Sequence, residues 1–204
     1  DQSSKEKRKM AKIKWKGGAL TAPVPPAMIS CGSEAAGNSN IITIAWTGIV
    51  NTVPPKTYIS VRPSRHSYAL IKESREFAIN LTPASLVKAA DYCGIYTGAK
   101  VNKFEKCGLT KEEASEISCP LIAESPLSLE CKVTDIIELG SHHMFLADIV
   151  AVDVDERLIN KDGKLCLEKA GLAAFAHGEY FALGEKLGYF GFSVKKKRKH
   201  PKKK

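Results

Sequence analysis

The sequence predicts a mainly β domain with minor α content, curled into a closed or partly closed barrel, and three observations carry that expectation. Apolar residues recur with period two, or in short runs bounded by turn residues, from Val24 to Val194. Helix-like stretches are few and short. At 204 residues, 44% hydrophobic and 26% charged, the chain can bury one core, and no apolar run reaches the about 18 residues needed to span a bilayer.

The expected strands are Ala27 to Cys31, Ile41 to Val50, Thr57 to Arg62, Glu76 to Leu81, Leu127 to Ile137 and His143 to Val154. In the fifth, Leu127, Leu129, Cys131 and Val133 alternate with Ser128, Glu130, Lys132 and Thr134, the pattern of a sheet with one buried face. A helix is expected at Ser67 to Ser74, after Pro63 and Ser64, and another at Ala84 to Tyr92, after Pro83. Asn51 to Lys56, with Pro54 and Pro55, reads as a turn. Antiparallel strands interrupted by two helices fit a barrel.

The net charge of +9 sits at the ends: residues 1–16 carry +5, residues 195–204 carry +8, and residues 17–194 are left at −4. The reading is therefore a basic extension at 1–16, one domain at 17–194 and a Lys-rich tail at 195–204. A mildly acidic body does not resemble a domain whose folded face tracks phosphates. The tail is read as a solvated, disordered segment, with binding of RNA or an anionic surface as its alternative. Met10 opens a plausible start, so the nine residues before it read as an upstream extension. No secretory pattern precedes the domain, and the expected compartment is the cytoplasm, with no membrane partner.

Six cysteines fall at 31, 93, 107, 119, 131 and 166, never two residues apart, a poor spacing for zinc or a thioredoxin-type pair. His142 and His143 are adjacent and point to opposite faces of a strand, so they cannot chelate one ion. No protein-bound metal is expected, nor are disulfides. Cys93, beside Gly94, is the thiol singled out for a reactivity test. The chain has no G-x-G-x-x-G after a strand, no G-x-x-x-x-G-K-[ST] and no G-x-S-x-G. Dinucleotide folds, P-loop enzymes and nucleophile-elbow hydrolases are thereby disfavoured.

Two segments stand out. Ser60-Val61-Arg62-Pro63-Ser64-Arg65-His66-Ser67 runs a strand into a helix start through two arginines and hydroxyls, which is an anion site in form. The bland reading has Ser67 capping the helix and both guanidinium groups in water. Asn40-Ile41-Ile42-Thr43-Ile44-Ala45-Trp46-Thr47-Gly48 is a strand whose far end mixes small polar residues with a Trp; its bland reading is a core strand.

Together with Pro23-Val24-Pro25, Phe77-Ala78-Ile79-Asn80-Leu81, Asp91-Tyr92-Cys93-Gly94, Lys103-Phe104, Gly140-Ser141-His142 and His177 to Gly184, these segments resemble the flavin reductase-like, FMN-binding split-barrel family, most closely its flavoredoxin branch. The resemblance implies a Greek-key split β-barrel forming a homodimer, with FMN held noncovalently near the subunit interface. It places Asn40, Thr43, Ala45, Trp46 and Thr47 along the isoalloxazine, and Arg62, Ser64, Arg65 and Ser67 at the ribityl phosphate. Lys103 matches a lysine at the phosphate end. His142 matches the His of a Gly-Asp-His stretch in which this chain has Ser141 instead of Asp. Phe175 falls where an aromatic ring can lie over the flavin. No catalytic side chain is then required, because flavin carries the hydride or electrons itself, with His142 as an assisting group. NAD(P)H, as a transient donor, and an electron-transfer protein such as ferredoxin remain open as sources of electrons. A non-catalytic flavin-binding protein, and a scaffold barrel whose tail binds RNA or polyanions, are the competing readings.

Overall fold

The alternation seen in the sequence becomes one seven-stranded antiparallel sheet in the computed structural model, which describes residues 11–194. The strands are β1 (Ala27–Cys31), β2 (Asn40–Ile44), β3 (Thr47–Asn51), β4 (Lys56–Val61), β5 (Glu76–Leu81), β8 (Leu127–Glu138) and β9 (His143–Val154). They lie in the order β2-β1-β5-β8-β9-β4-β3. Helices α1 (His66–Ser74), α2 (Val87–Ile95) and α3 (Lys103–Cys107) and the short ribbons β6/β7 (Lys111–Glu112, Leu121–Ile122) and β10/β11 (Ala173–Ala176, Glu179–Ala182) complete the fold. Residues 11–16 of the expected basic extension are exposed and irregular. The rest of that extension and the Lys-rich tail lie outside the described residues.

The topology forces curvature. β2 and β3 are the two edges of the sheet, yet only Ala45 and Trp46 separate them in sequence. Flat, seven strands would set the edges about 29 Å apart, whereas the link from Ile44 to Thr47 reaches at most about 11 Å. The sheet must therefore curl until its edges approach, and the Ser60 amide donates to the Trp46 carbonyl at 2.9 Å, extending the β3/β4 ladder up to the link itself. Register shifts between Glu130 and Cys131 and between Val133 and Asp135 help β8 bend against β9.

One side of the curled sheet encloses a core of Ala27, Ile29, Cys31, Ile42, Ile59, Val61, Phe77, Ile79, Cys131, Val133, Phe145 and Ala147, joined by Ile71 of α1. Every strand of the sheet except the edge strand β3 contributes to it, with inward residues two apart, as a period of two demands. On the opposite side Met28 and Ile41 pack against Ala90 and Cys93 of α2 and Phe104 of α3.

The structure corrects the sequence reading in several places. The strand expected over Ile41 to Val50 is two strands, broken at Ala45–Trp46, because the chain crosses from one sheet edge to the other there. Residues 84–86 of the second expected helix form a separate 3₁₀ turn before α2, which runs on to Ile95. Helix α3 was not expected, although Asn102 caps it by accepting from the Glu105 amide at 3.3 Å. The first helix starts at His66 with Arg65 at its N-cap and no side-chain cap, so Ser67 does not serve as one.

Candidate functional site

The seam between β2 and β3 opens into a cleft of about 230 Å³ lined by Ile42, Thr43, Ile44, Ala45, Trp46, Ser60, Val61, Arg62, Arg65, His142 and Phe175. Four elements build it. The Ala45–Trp46 crossing supplies the floor and the end of β4 supplies Ser60 and Val61. The turn entering α1 supplies both arginines, Arg65 donating its amide to the Arg62 carbonyl at 3.0 Å. Phe175 reaches the cleft because β10 pairs with Val24 through two backbone hydrogen bonds, of 2.9 and 2.8 Å. The β10/β11 turn is His177-Gly178, both at positive φ, a pairing suited to a tight hairpin. Trp46 is 39% exposed, which excludes the core-residue reading of its ring.

A second, smaller cleft of about 80 Å³ adjoins the first, sharing Ile42 and Arg65, and is lined by Asn40, Ser64, His66, Ser67, Gly94, Tyr96, Thr97, Gly98 and Lys103 as well. Its polar groups are built in. Asn40, Ser67 and Lys103 are buried, and the Asn40 side-chain amide donates to the Ser67 hydroxyl at 2.7 Å. Gly98 packs so closely that a Cβ there would sit 2.0 Å from the Asn40 side-chain oxygen. The start of α1 faces this cleft, and the first amides of a helix have no intrahelical acceptor.

Lys103 is the unusual member. Its ammonium donates to the carbonyls of Ile41 and Cys93, at 2.6 and 2.8 Å, and has no carboxylate partner among the described residues. An ammonium carries three donors, so one is left for the cleft. Burial, and secondarily the neighbouring Arg65, lowers its pKa, while the adjacent thiols oppose the shift. The guanidinium groups of Arg62 and Arg65 are exposed and make no hydrogen bond or ion pair with the described residues. Three cations thus converge on two joined clefts without an anion. In addition the Thr43 hydroxyl is buried with no hydrogen-bond partner, although Thr43 lines the larger cleft.

His142 and His143 do diverge. The His143 ring shares a 2.8 Å hydrogen bond with the Tyr68 hydroxyl, whereas His142 faces the cleft and shares one of 2.9 Å with the Ser141 hydroxyl. Ser141 thus engages the ring next to it. Burial, then Arg62 and Arg65, holds the His142 imidazole below its ordinary pKa, favouring the neutral ring.

Of the twelve residues named from the sequence, Thr43, Ala45, Trp46, Arg62, His142 and Phe175 line the larger cleft, Asn40, Ser64, Ser67 and Lys103 the smaller, and Arg65 both. Thr47 lines neither: its hydroxyl donates to the Tyr58 carbonyl at 2.7 Å and ties β3 to β4. Cys93 is fully buried, and burial followed by the neighbouring Cys107 pushes its thiol up to about 12, against the reactivity suggested by its position next to Gly94. Sequence reading placed Ser60 in the anion segment without assigning it to the cofactor, and it missed the Tyr96–Gly98 wall, for which the Thr97-Gly98 pair after a helix was the available signal.

Comparison with known proteins adds the family. Residues 19–183 match the flavin reductase like domain. The chain belongs to the flavin reductase-like family. An uncharacterized protein of Archaeoglobus fulgidus is 34% identical over 142 residues, covering 70% of this chain and 77% of its own length. Flavoredoxin of Desulfovibrio vulgaris (Miyazaki F) superposes with a TM-score of 0.83 at 31% identity, over 91% of this chain and all of that one. Flavoredoxin from Methanosarcina acetivorans gives 0.79 at 27% identity, over 91% of this chain and 100% of the other. The curled sheet is therefore the split barrel of flavin reductase-like proteins, and no described helix is long and apolar enough to cross a membrane.

Proposed function

We propose that this flavin reductase-like protein is an FMN-dependent oxidoreductase of the flavoredoxin type. The observation that carries the reading is the buried Lys103 ammonium, held by two carbonyls with no counter-anion beside it. A buried cation is costly unless paired, and a phosphate in the small cleft would pair it. Ser64, Arg65, Ser67 and the first amides of α1 would complete the phosphate set, giving charge-assisted hydrogen bonds at a helix N-terminus. Arg62, at the mouth of the larger cleft, would neutralise the rest of the charge. The orphaned Thr43 hydroxyl suits a polar edge of a bound ring, whose faces Trp46 and Phe175 would flank.

When bound, FMN would supply hydride or electron transfer. The chain's own part is to hold, orient and exclude. His142, kept neutral by burial and both arginines and oriented by Ser141, can give or take one hydrogen bond at the cleft. Arg62, which lines the larger cleft, would also favour negative charge on a ring seated there. Past Thr43, Ile44, Ala45 and Phe175 the large cleft continues into a third, of about 320 Å³, lined by Pro26, Asp91, Ile95 and Tyr180, which leaves room for a donor or acceptor at the ring. NAD(P)H and a ferredoxin-like protein are the two donor classes to compare. A homodimer is part of this reading, supported by edge strand β3, where Ile49 and Val50 are exposed beside exposed Val53. Six free thiols suit a reducing compartment such as the cytoplasm.

Purified protein is expected to be yellow and to release FMN on denaturation. A colourless protein that also fails to bind added FMN rejects the proposal. Anaerobic stopped-flow with NADH, NADPH and reduced ferredoxin then identifies the donor, and a flavoprotein reduced by none of them would be a flavin-binding protein without this turnover.

A further inference from the structure

Behind the wall of the small cleft lies a dithiol that the proposed flavin chemistry does not use. Cys93, in the last turns of α2, and Cys107, at the end of α3, bring their sulfurs to 3.9 Å. The other four cysteines have no sulfur neighbour in hydrogen-bonding range. Between the pair in sequence run Gly94, Tyr96, Thr97, Gly98 and Lys103, all lining the cleft, and the Cys93 carbonyl is itself one of the acceptors that hold the Lys103 ammonium. We propose that Cys93 and Cys107 are a redox modification site, forming a reversible disulfide that closes residues 93–107, which supply one wall of the small cleft, into a ring.

The chemistry balances with a low-molecular-weight disulfide as oxidant. The half-buried Cys107 is the point of entry, because Cys93 is fully buried and its thiol is pushed up to about 12 by burial and then by Cys107. The Cys107 thiolate attacks one sulfur of the oxidant and expels the other as a thiolate, giving a mixed disulfide. Cys93 attacks the Cys107 sulfur as its proton passes to the departing small thiolate, which leaves as the second thiol. Two protein thiols are oxidised and one small disulfide is reduced to two thiols. A thiol kept protonated attacks slowly and leaves poorly, so the bridge forms slowly and a dithiol reductant reverses it slowly. Cross-linking the two helices restrains the loop between them, whose Tyr96, Thr97 and Gly98 line the small cleft.

The test is made on the full chain with glutathione disulfide. The expected result is loss of two hydrogens in mass, a peptide linking Cys93 to Cys107, slower amide hydrogen exchange over residues 95–102, and reversal of all three by dithiothreitol. Cys107→Ser should abolish them, and Cys166→Ser should leave them intact. These readouts require no flavin, so they stand or fall separately from the FMN proposal. A second arm rests on that proposal: FMN release from the oxidised protein is expected to slow at least threefold. Persistent glutathione adducts without the linked peptide, or a bridge that leaves exchange over 95–102 unchanged, would overturn the inference.

Discussion

Replacing Lys103 with Met tests the phosphate site at its most buried point. The substitution keeps most of the side-chain volume between β2 and α2 and removes the ammonium that donates to the Ile41 and Cys93 carbonyls. Losing one hydrogen bond between charged groups costs about 1.5–3 kcal/mol, which converts to a ~10- to 150-fold weaker Kd for FMN. Riboflavin, which has the same ring and no phosphate, supplies the control: its affinity should change by less than about threefold, within the few tenths of a kcal/mol of an indirect effect. Flavin fluorescence quenching reads both titrations on one sample. The pH dependence carries a sign as well. Burial lowers the Lys103 pKa in the free protein, and a bound phosphate would raise it again, so parent FMN affinity is greatest while the amine is protonated and falls as pH rises through the lowered pKa. Lys103→Met should lose that fall. Equal weakening of FMN and riboflavin would show that Lys103 only braces the loop, and unchanged FMN affinity would remove the phosphate from this cleft.

Three other outcomes are expected. Arg65→Ala with Ser67→Ala should weaken FMN at least tenfold by the same titration, and undiminished occupancy would misplace the phosphate. Gly98→Ala should drive a methyl into the Asn40 side chain, break its bond to Ser67 and weaken FMN while leaving the barrel folded by circular dichroism; tolerance would mean the wall yields freely. Asp153 is pushed up to about 6 by burial and then by its hydrogen bond and charge contact with Glu130, against about 3.9 when unfolded, so folding retains its proton and its stabilising share is lost as pH climbs from about 4 to 6. Asp153→Asn should therefore melt higher than the parent at pH 7 and equal to it near pH 4, and a pH-independent difference in Tm would contradict that assignment.

Much of the barrel was legible because strands with one buried face announce themselves. β1, β5 and β9 begin and end where alternation and turn residues place them. What could not be read was the break at Ala45–Trp46, since an apolar run that changes sheet edge looks the same as one that continues. Short α3 has too few residues for a helical period, though Asn102 with Glu105 three residues on was a readable start. The site residues came from family resemblance more than from chemistry. A lysine reads as a surface residue, and only packing reveals that Lys103 is inside; conversely Trp46 reads as core and lies 39% exposed. Thr47 sits beside Trp46 in the chain, but strand alternation turns its hydroxyl toward β4.

The two-residue link between β2 and β3 makes the larger cleft a clasp whose gap is set by the arc of the entire seven-stranded sheet. Residues on the far side of that arc, such as Cys131 and Asp135 at the irregular stretches of β8, therefore act on the width of the opening without touching what lies in it. Straightening β8 there would pull on the Ala45–Trp46 link and spread the jaws, so ligand fit in this molecule is a property of distant curvature as much as of the residues that line the gap.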